Sequence, residues 1–146
     1  LYEYLMNIYM EYGFQRETTI NVVRPGKSGA EEIAGMMTAY RQNPITEIAG
    51  EKVICTKDYQ SLIRRDLRDG KWIESPIEMA LGATSNVLQY FTEGGLKASV
   101  RPSGTEPKIK YYFEIPAKMS SPADYDRATR EAEDRMPAIR RSLRID

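Results

Sequence analysis

Histidine is missing altogether from the 146 residues of this chain. That absence removes Ser–His and Cys–His catalysis and every metal site that relies on imidazole. There is one cysteine, Cys55, so no internal disulfide can form. Within a strand-like run, Cys55 reads as an inert core residue. No stretch reaches the roughly 20 apolar residues of a membrane-spanning helix, and no signal peptide is recognisable, so a cytoplasmic protein with no membrane partner is expected. Neither sign of charge is in excess, since 21 basic and 21 acidic residues cancel. A zero balance speaks against general nucleic-acid binding, which needs a basic footprint. No serine sits beside an activating base, and no carboxylate cluster suits magnesium. The single D-x-D, Asp124 and Asp126, falls where a helix should begin and complements the helix dipole rather than a metal. The sequence therefore offers no catalytic residue, no metal ligand and no cofactor of its own.

What the chain does have is concentrated between Arg101 and Lys110, R-P-S-G-T-E-P-K-I-K. Arg101 offers a planar fork of donors that matches two oxygens of a phosphate. Ser103 and Thr105 add hydroxyl donors. Gly104 between them is expected at positive φ, which would turn successive N–H groups inward as an anion-binding nest. Pro102 and Pro107 stiffen the turn. Lys108 and Lys110 follow at strand spacing on one face and bring further positive charge.

The remaining pattern supplies a frame for this loop. Length alone predicts one domain, large enough to bury roughly 68–70% of its unfolded surface. Leu1, Leu5, Ile8 and Tyr12, with Tyr2 and Tyr9 alongside, recur at helical spacing up to Gly13. The pattern opens part-way, so a fragment of a longer protein is expected. Glu17 to Val23 alternates as a strand, with Thr18, Ile20 and Val22 opposite Thr19, Asn21 and Val23. Ser28 and Glu31 predict a capping box, and the helix behind it should bury Ala30, Ile33, Ala34, Met37 and Tyr40 up to Asn43-Pro44. Met36-Met37 reads as core filler.

Lys52 to Lys57 predicts a second strand. Ser61 to Arg68 suggests a short helix, with Trp72 and Ile73 tucked against the core. Arg64, Arg65, Arg68 and Lys71 read as a solvated basic face. Asn86 to Thr92 and Leu96 to Arg101 form a hairpin around Glu93-Gly94-Gly95, and Lys108 to Ile115 forms the last strand, ended by Pro116. Ser121-Pro122-Ala123-Asp124 opens a final helix whose buried stripe is Tyr125, Ala128, Ala132, Met136, Ile139 and Leu143. Pro137 should break that helix near Arg135-Met136.

The loop, together with S-N-V-L-Q-Y-F (Ser85 to Phe91), Y-Y-F-E-I (Tyr111 to Ile115), G-A-E-E-I-A-G-M-M-T-A-Y-R-Q-N-P (Gly29 to Pro44) and I-A-G-E-K-V (Ile48 to Val53), resembles the C-terminal, fourth domain of the α-D-phosphohexomutases. This is the phosphoglucomutase/phosphomannomutase family, here of the long bacterial type. The resemblance implies an α+β, TATA-binding-protein-like fold of order β-α-β-β-β-β-α, with an antiparallel sheet covered by two helices. It makes residues 1–14 the last helix of the preceding domain, with a hinge near Phe14 to Glu17, and residues 15–146 the phosphate-binding domain.

It also implies that Arg101, Ser103, Gly104, Thr105 and, where relatives usually carry arginine, Lys110 contact the non-transferred phosphate of a hexose phosphate. Glu106 would instead accept a local backbone or lysine hydrogen bond. The catalytic serine and Mg2+ would belong to the first two of the three preceding domains and the reading of the sugar hydroxyls to the third, so this chain alone should be inactive. Three other readings stand beside it. One is a phosphoglucosamine mutase C-terminal domain, and another is a non-catalytic interaction module docking through its first helix. The third is a nucleic-acid module using Tyr90 and Tyr112 as stacking platforms.

Overall fold

The computed structural model describes residues 3–6, 14–79, 82–119 and 121–145. Its strands are β1 (Phe14–Val23), β2 (Glu47–Ile48), β3 (Glu51–Asp58), β4 (Ile63–Arg68), β5 (Lys71–Pro76), β6 (Leu88–Thr92), β7 (Lys97–Pro102) and β8 (Lys108–Ala117). Helix α1 (Gly29–Gln42) follows β1. A single 3-10 turn (Pro122–Asp124) leads into α2 (Tyr125–Asp134) and α3 (Met136–Ser142). The strands join antiparallel in the order β1-β8-β7-β6-β3-β4-β5, with β2 paired to β3. This is the α+β arrangement expected, with extra strands.

Alternation in the central strands decides which face the helices cover. Ile109, Tyr111, Phe113 and Ile115 of β8 point one way, as do Ala98 and Val100 of β7 and Leu88 and Tyr90 of β6, and all are buried. They share one core with Ile33, Met37 and Tyr40 of α1 and with Ala132, Ile139 and Leu143 of the C-terminal helices. Met37 is fully within that core and Met36 packs on its edge, as expected of filler. The opposite face carries Lys97, Ser99, Arg101, Lys110 and Tyr112. Helices α1, α2 and α3 pack on the other side of the sheet.

One buried polar chain fastens the two helical parts together. The Tyr40 hydroxyl donates to the carbonyl of Leu143, and the Tyr111 hydroxyl donates to Tyr40 at 2.7 Å. Burial raises the pKa of both phenols, so neither is lost by ionisation near neutrality. Tyr40→Phe would leave the Leu143 carbonyl and the Tyr111 hydroxyl unsatisfied together. It is expected to cost about 1–3 kcal/mol, seen as a lower urea midpoint with an unchanged slope. Tyr111→Phe leaves the Tyr40–Leu143 bond intact and should cost less.

Several local expectations are corrected. Ser61 to Arg68 is not a helix. Ile63–Arg68 pairs with Lys71–Pro76 as a hairpin, turned at Asp69 and Gly70, both at positive φ. In that setting Trp72 (42% exposed) and Ile73 (50%) do not tuck into the core, because β5 is the edge strand beyond the reach of α1. The basic face there is exposed, as expected, and two of its four cations are paired. Arg64 holds Asp66 through two nitrogens, at 2.9 and 3.1 Å, and Arg65 holds Glu74 at 2.9 Å.

Ser28 precedes α1 without capping it through its side chain. Ala30 and Ala34 are exposed, since the buried face is the narrower stripe of Gly29, Ile33, Met37 and Tyr40. Phe14 to Glu17 are strand residues paired with Glu114 to Ala117. Pro116 does not end β8. It lies past the end of β7, where β8 has a neighbour on one side only, and such a position tolerates a missing N–H. Residues 3–6 are helical, with Leu5 exposed and Met6 buried. The rest of the expected first helix lies outside the described residues. The break at Pro137 is borne out, because α2 stops at Asp134 and α3 restarts at Met136.

Candidate anion-binding site

Ser103 to Pro107 link β7 to β8, and their shape is set by short-range hydrogen bonds. The Ser103 N–H donates to the Lys108 carbonyl at 2.8 Å, which closes the turn, and the Lys108 N–H donates back to Glu106 at 2.8 Å. The Ser103 hydroxyl oxygen accepts the N–H groups of Thr105 (3.4 Å) and Glu106 (3.3 Å), a local turn that serine favours. Glu106 takes the expected local part, with its carboxylate 3.5 Å from the Lys108 ammonium.

From outside the turn, the Arg24 N–H donates to the Pro107 carbonyl at 2.8 Å, fastening the loop to the segment between β1 and α1. Gly29 permits this closeness. A Cβ there would sit 1.7 Å from the Arg24 carbonyl oxygen and 2.9 Å from Pro107 Cβ. Sequence reasoning missed Gly29, although a glycine in the first turn of a helix, where propensity disfavours it, was an available signal.

At the foot of the loop two cations face each other. Arg101 and Lys110 are directly opposite in the β7–β8 register, both on the open face, and Asn21 of β1 is opposite Lys110 on its other side. Among the described residues neither cation has an ion-pair partner. Like charges in this relation repel. An anion seated between them would remove the repulsion. The structure thus puts Arg101 beside Lys110 at the foot of the turn that carries Ser103 and Thr105.

It corrects the expectation for Gly104, which is not among the residues with positive φ. The N–H groups of Thr105 and Glu106, which a nest would have turned inward on an anion, are held by the Ser103 hydroxyl instead. A Cβ on Gly104 would meet nothing within 4 Å. Gly104→Ala should therefore leave stability within about 0.5 kcal/mol of the parent, as for other featureless surface positions, by thermal or urea unfolding.

Among the described residues no three carboxylates or thiols come close enough together to hold a metal. Cys55 is buried in β3 and inert, its thiol pKa pushed up by burial and by the neighbouring Asp66 carboxylate. No helix among the described residues is long and apolar enough to cross a membrane.

Residues 20–134 match the family described as the phosphoglucomutase/phosphomannomutase C-terminal domain. The chain belongs to that family. This C-terminal domain is 35% identical over 115 residues to a phosphoglucomutase of Staphylococcus haemolyticus, covering 79% of this chain and 20% of that protein. It is 32% identical over 113 residues to the phosphoglucomutase of Staphylococcus saprophyticus, covering 77% and 19%. The corresponding Staphylococcus aureus protein is 35% identical over 113 residues, covering 76% and 19%. The domain therefore spans about a fifth of the length of the relatives it matches.

The candidate loop lies inside the matched span, and so does every strand from β2 to β8. Within this phosphoglucomutase/phosphomannomutase domain, Tyr90 is buried on the helix-covered face while Tyr112 is exposed on the other. The two rings cannot form one stacking surface, which removes the geometric basis of the nucleic-acid reading.

Proposed function

We propose that this domain grips the phosphate of a hexose phosphate that is not being transferred, while the preceding three domains of a phosphoglucomutase-type enzyme carry out the transfer. The observation that carries this reading is the Arg101–Lys110 pair, without an ion-pair partner among the described residues, at the foot of a hydroxyl-bearing turn. Arg101 would supply a bidentate contact, Ser103 and Thr105 hydroxyl donors, and Gly104 a position without side-chain bulk beside the ligand. Lys110 would give a looser point-charge contact than an arginine.

Holding the remote phosphate turns binding energy into orientation, since a fixed second phosphate keeps the reacting oxygen in line. A loop that itself reads phosphate and not one sugar position also suits a bisphosphorylated intermediate, which must present either end. The residues described here do not fit magnesium, so the metal and the phosphoserine belong to other domains in this reading and no step is derived through them. Residues 1–14 are assigned to the end of the preceding domain, and the location is taken as cytoplasmic.

The test uses the purified chain. It should bind glucose 6-phosphate with a dissociation constant on the order of millimolar, about 4 kcal/mol, because only one wall of the site is present. Inorganic phosphate should displace it, and glucose 1-phosphate should not be converted. Measurable conversion would place the nucleophile within these residues and contradict the reading.

A further inference from the structure

Beside Arg101 the open face of the sheet is not flat. A hollow of about 300 Å³ runs along β7, lined by Lys97, Ser99 and Arg101, by Gln89 of β6 and by Tyr112 and Glu114 of β8. The register explains its composition. Gln89, Ser99 and Tyr112 form one cross-strand row, and Lys97 faces Glu114 in the row beyond. All these side chains belong to the half of each strand that the helices do not cover. The volume is at the lower end of the ~300–1,000 Å³ range of small-molecule sites, enough for one ring and little more.

The chemistry of the lining is specific. The Tyr59 hydroxyl donates to Gln89 Oε1 at 3.0 Å, and Gln89 Nε2 donates to the Ser99 hydroxyl oxygen at 3.3 Å. This relay fixes the amide orientation and leaves the Ser99 proton free to donate outward. Glu114 is an acceptor and Lys97 a donor. Tyr112 is 42% exposed and gives a ring face with a phenol that has no partner among the described residues. An aromatic face beside a carboxylate, an amide and a hydroxyl can meet a ring that is apolar on its C–H faces and studded with hydroxyls.

We infer that this hollow is a subsite for the hydroxyl-bearing ring of a phosphate ester whose phosphate is held at Arg101. The inference rests on the phosphate-gripping function proposed above and deepens it. Arg101 belongs both to the loop and to the lining, so a phosphate there leaves its ester oxygen at the mouth of the hollow. The sugar would then be read by this domain as well as by its neighbours.

The experiment follows backbone amide shifts of the chain with inorganic phosphate, glucose 6-phosphate and n-butyl phosphate. Phosphate should move Arg101 to Thr105 and Lys110 only. Glucose 6-phosphate should also move Gln89, Ser99, Tyr112 and Glu114, and bind about three- to tenfold more tightly than phosphate, as one or two extra neutral hydrogen bonds allow. Butyl phosphate should give no such gain, which separates hydroxyl recognition from apolar contact. Ser99→Ala and, as an independent variant, Gln89→Leu should each reduce the sugar ester's advantage at least about twofold without changing phosphate affinity. If glucose 6-phosphate moves only the loop, or butyl phosphate gains as much, the subsite is overturned while phosphate gripping stands. If none of the three ligands moves Arg101, both are overturned.

Discussion

Arg101→Ala, made in the full enzyme, is expected to lower kcat/KM by about one to two orders of magnitude, since a charge-assisted hydrogen bond contributes about 1.5–3 kcal/mol. The loss should appear with little change in folding. Arg101 is exposed at the end of β7 and makes no ion pair among the described residues, so its removal opens no core and strands no partner. Stability should even rise slightly, because Lys110 loses a like charge directly opposite. That combination, a large kinetic loss with an unchanged or raised unfolding midpoint, separates a ligand-holding arginine from a structural one. Activity within twofold of the parent would remove Arg101 from the site.

Gly29→Ala should do the opposite, damaging the fold first and binding through it. The added methyl would collide with the backbone carbonyl of Arg24 at 1.7 Å, and no side-chain rotation can relieve a backbone contact. The segment from Arg24 to Gly29 must then move away from Pro107, breaking or lengthening the Arg24–Pro107 hydrogen bond that fastens the loop. Overpacking of this kind costs about 1–3 kcal/mol, and the loop should lose its fixed form as well. The expected result is a lower urea midpoint together with faster amide exchange at Ser103 and Lys108. An unchanged midpoint would show that the segment can shift without cost. Gly35, exposed on the same helix, is the control, because a Cβ there would meet nothing within 4 Å. Alanine at that position should stabilise slightly by helix propensity.

The central sheet was legible in the sequence because its strands alternate and only one face is buried. Ala98 and Val100 against Lys97, Ser99 and Arg101, and Ile109 to Ile115 against Lys110 and Tyr112, fix both register and face. That alternation also sent Arg101 and Lys110 to the open side. The β4–β5 hairpin was not legible for the same reason in reverse. Lying beyond α1, it buries little on either face, and Arg64, Asp66 and Leu67 show no strict period to read.

The cap at Ser28 and the nest at Gly104 failed for a different reason. Both readings rested on what a residue type can do, whereas the hydrogen bonds were decided by neighbours. Ser103 had already taken the loop N–H groups. The contact of Gly29 with Arg24 and Pro107 joins positions far apart in the chain, and no local pattern reports it. The hollow beside Arg101 needs three strands to exist, so its lining is scattered from Gln89 to Glu114.

The measurement that bears most directly on the phosphate-gripping role is a titration of the chain with inorganic phosphate at constant ionic strength, read residue by residue from backbone amide shifts, with chloride as the matched control. Arg101, Ser103, Thr105 and Lys110 are predicted to move together along one binding curve in phosphate, stay still in chloride, and lose the response in Arg101→Ala. Shifts spread over the basic residues of the whole surface, with Lys57, Arg68 and Arg141 moving as much as Arg101, would mean that the chain attracts anions only by general charge. In that case the loop between β7 and β8 would not be a phosphate site.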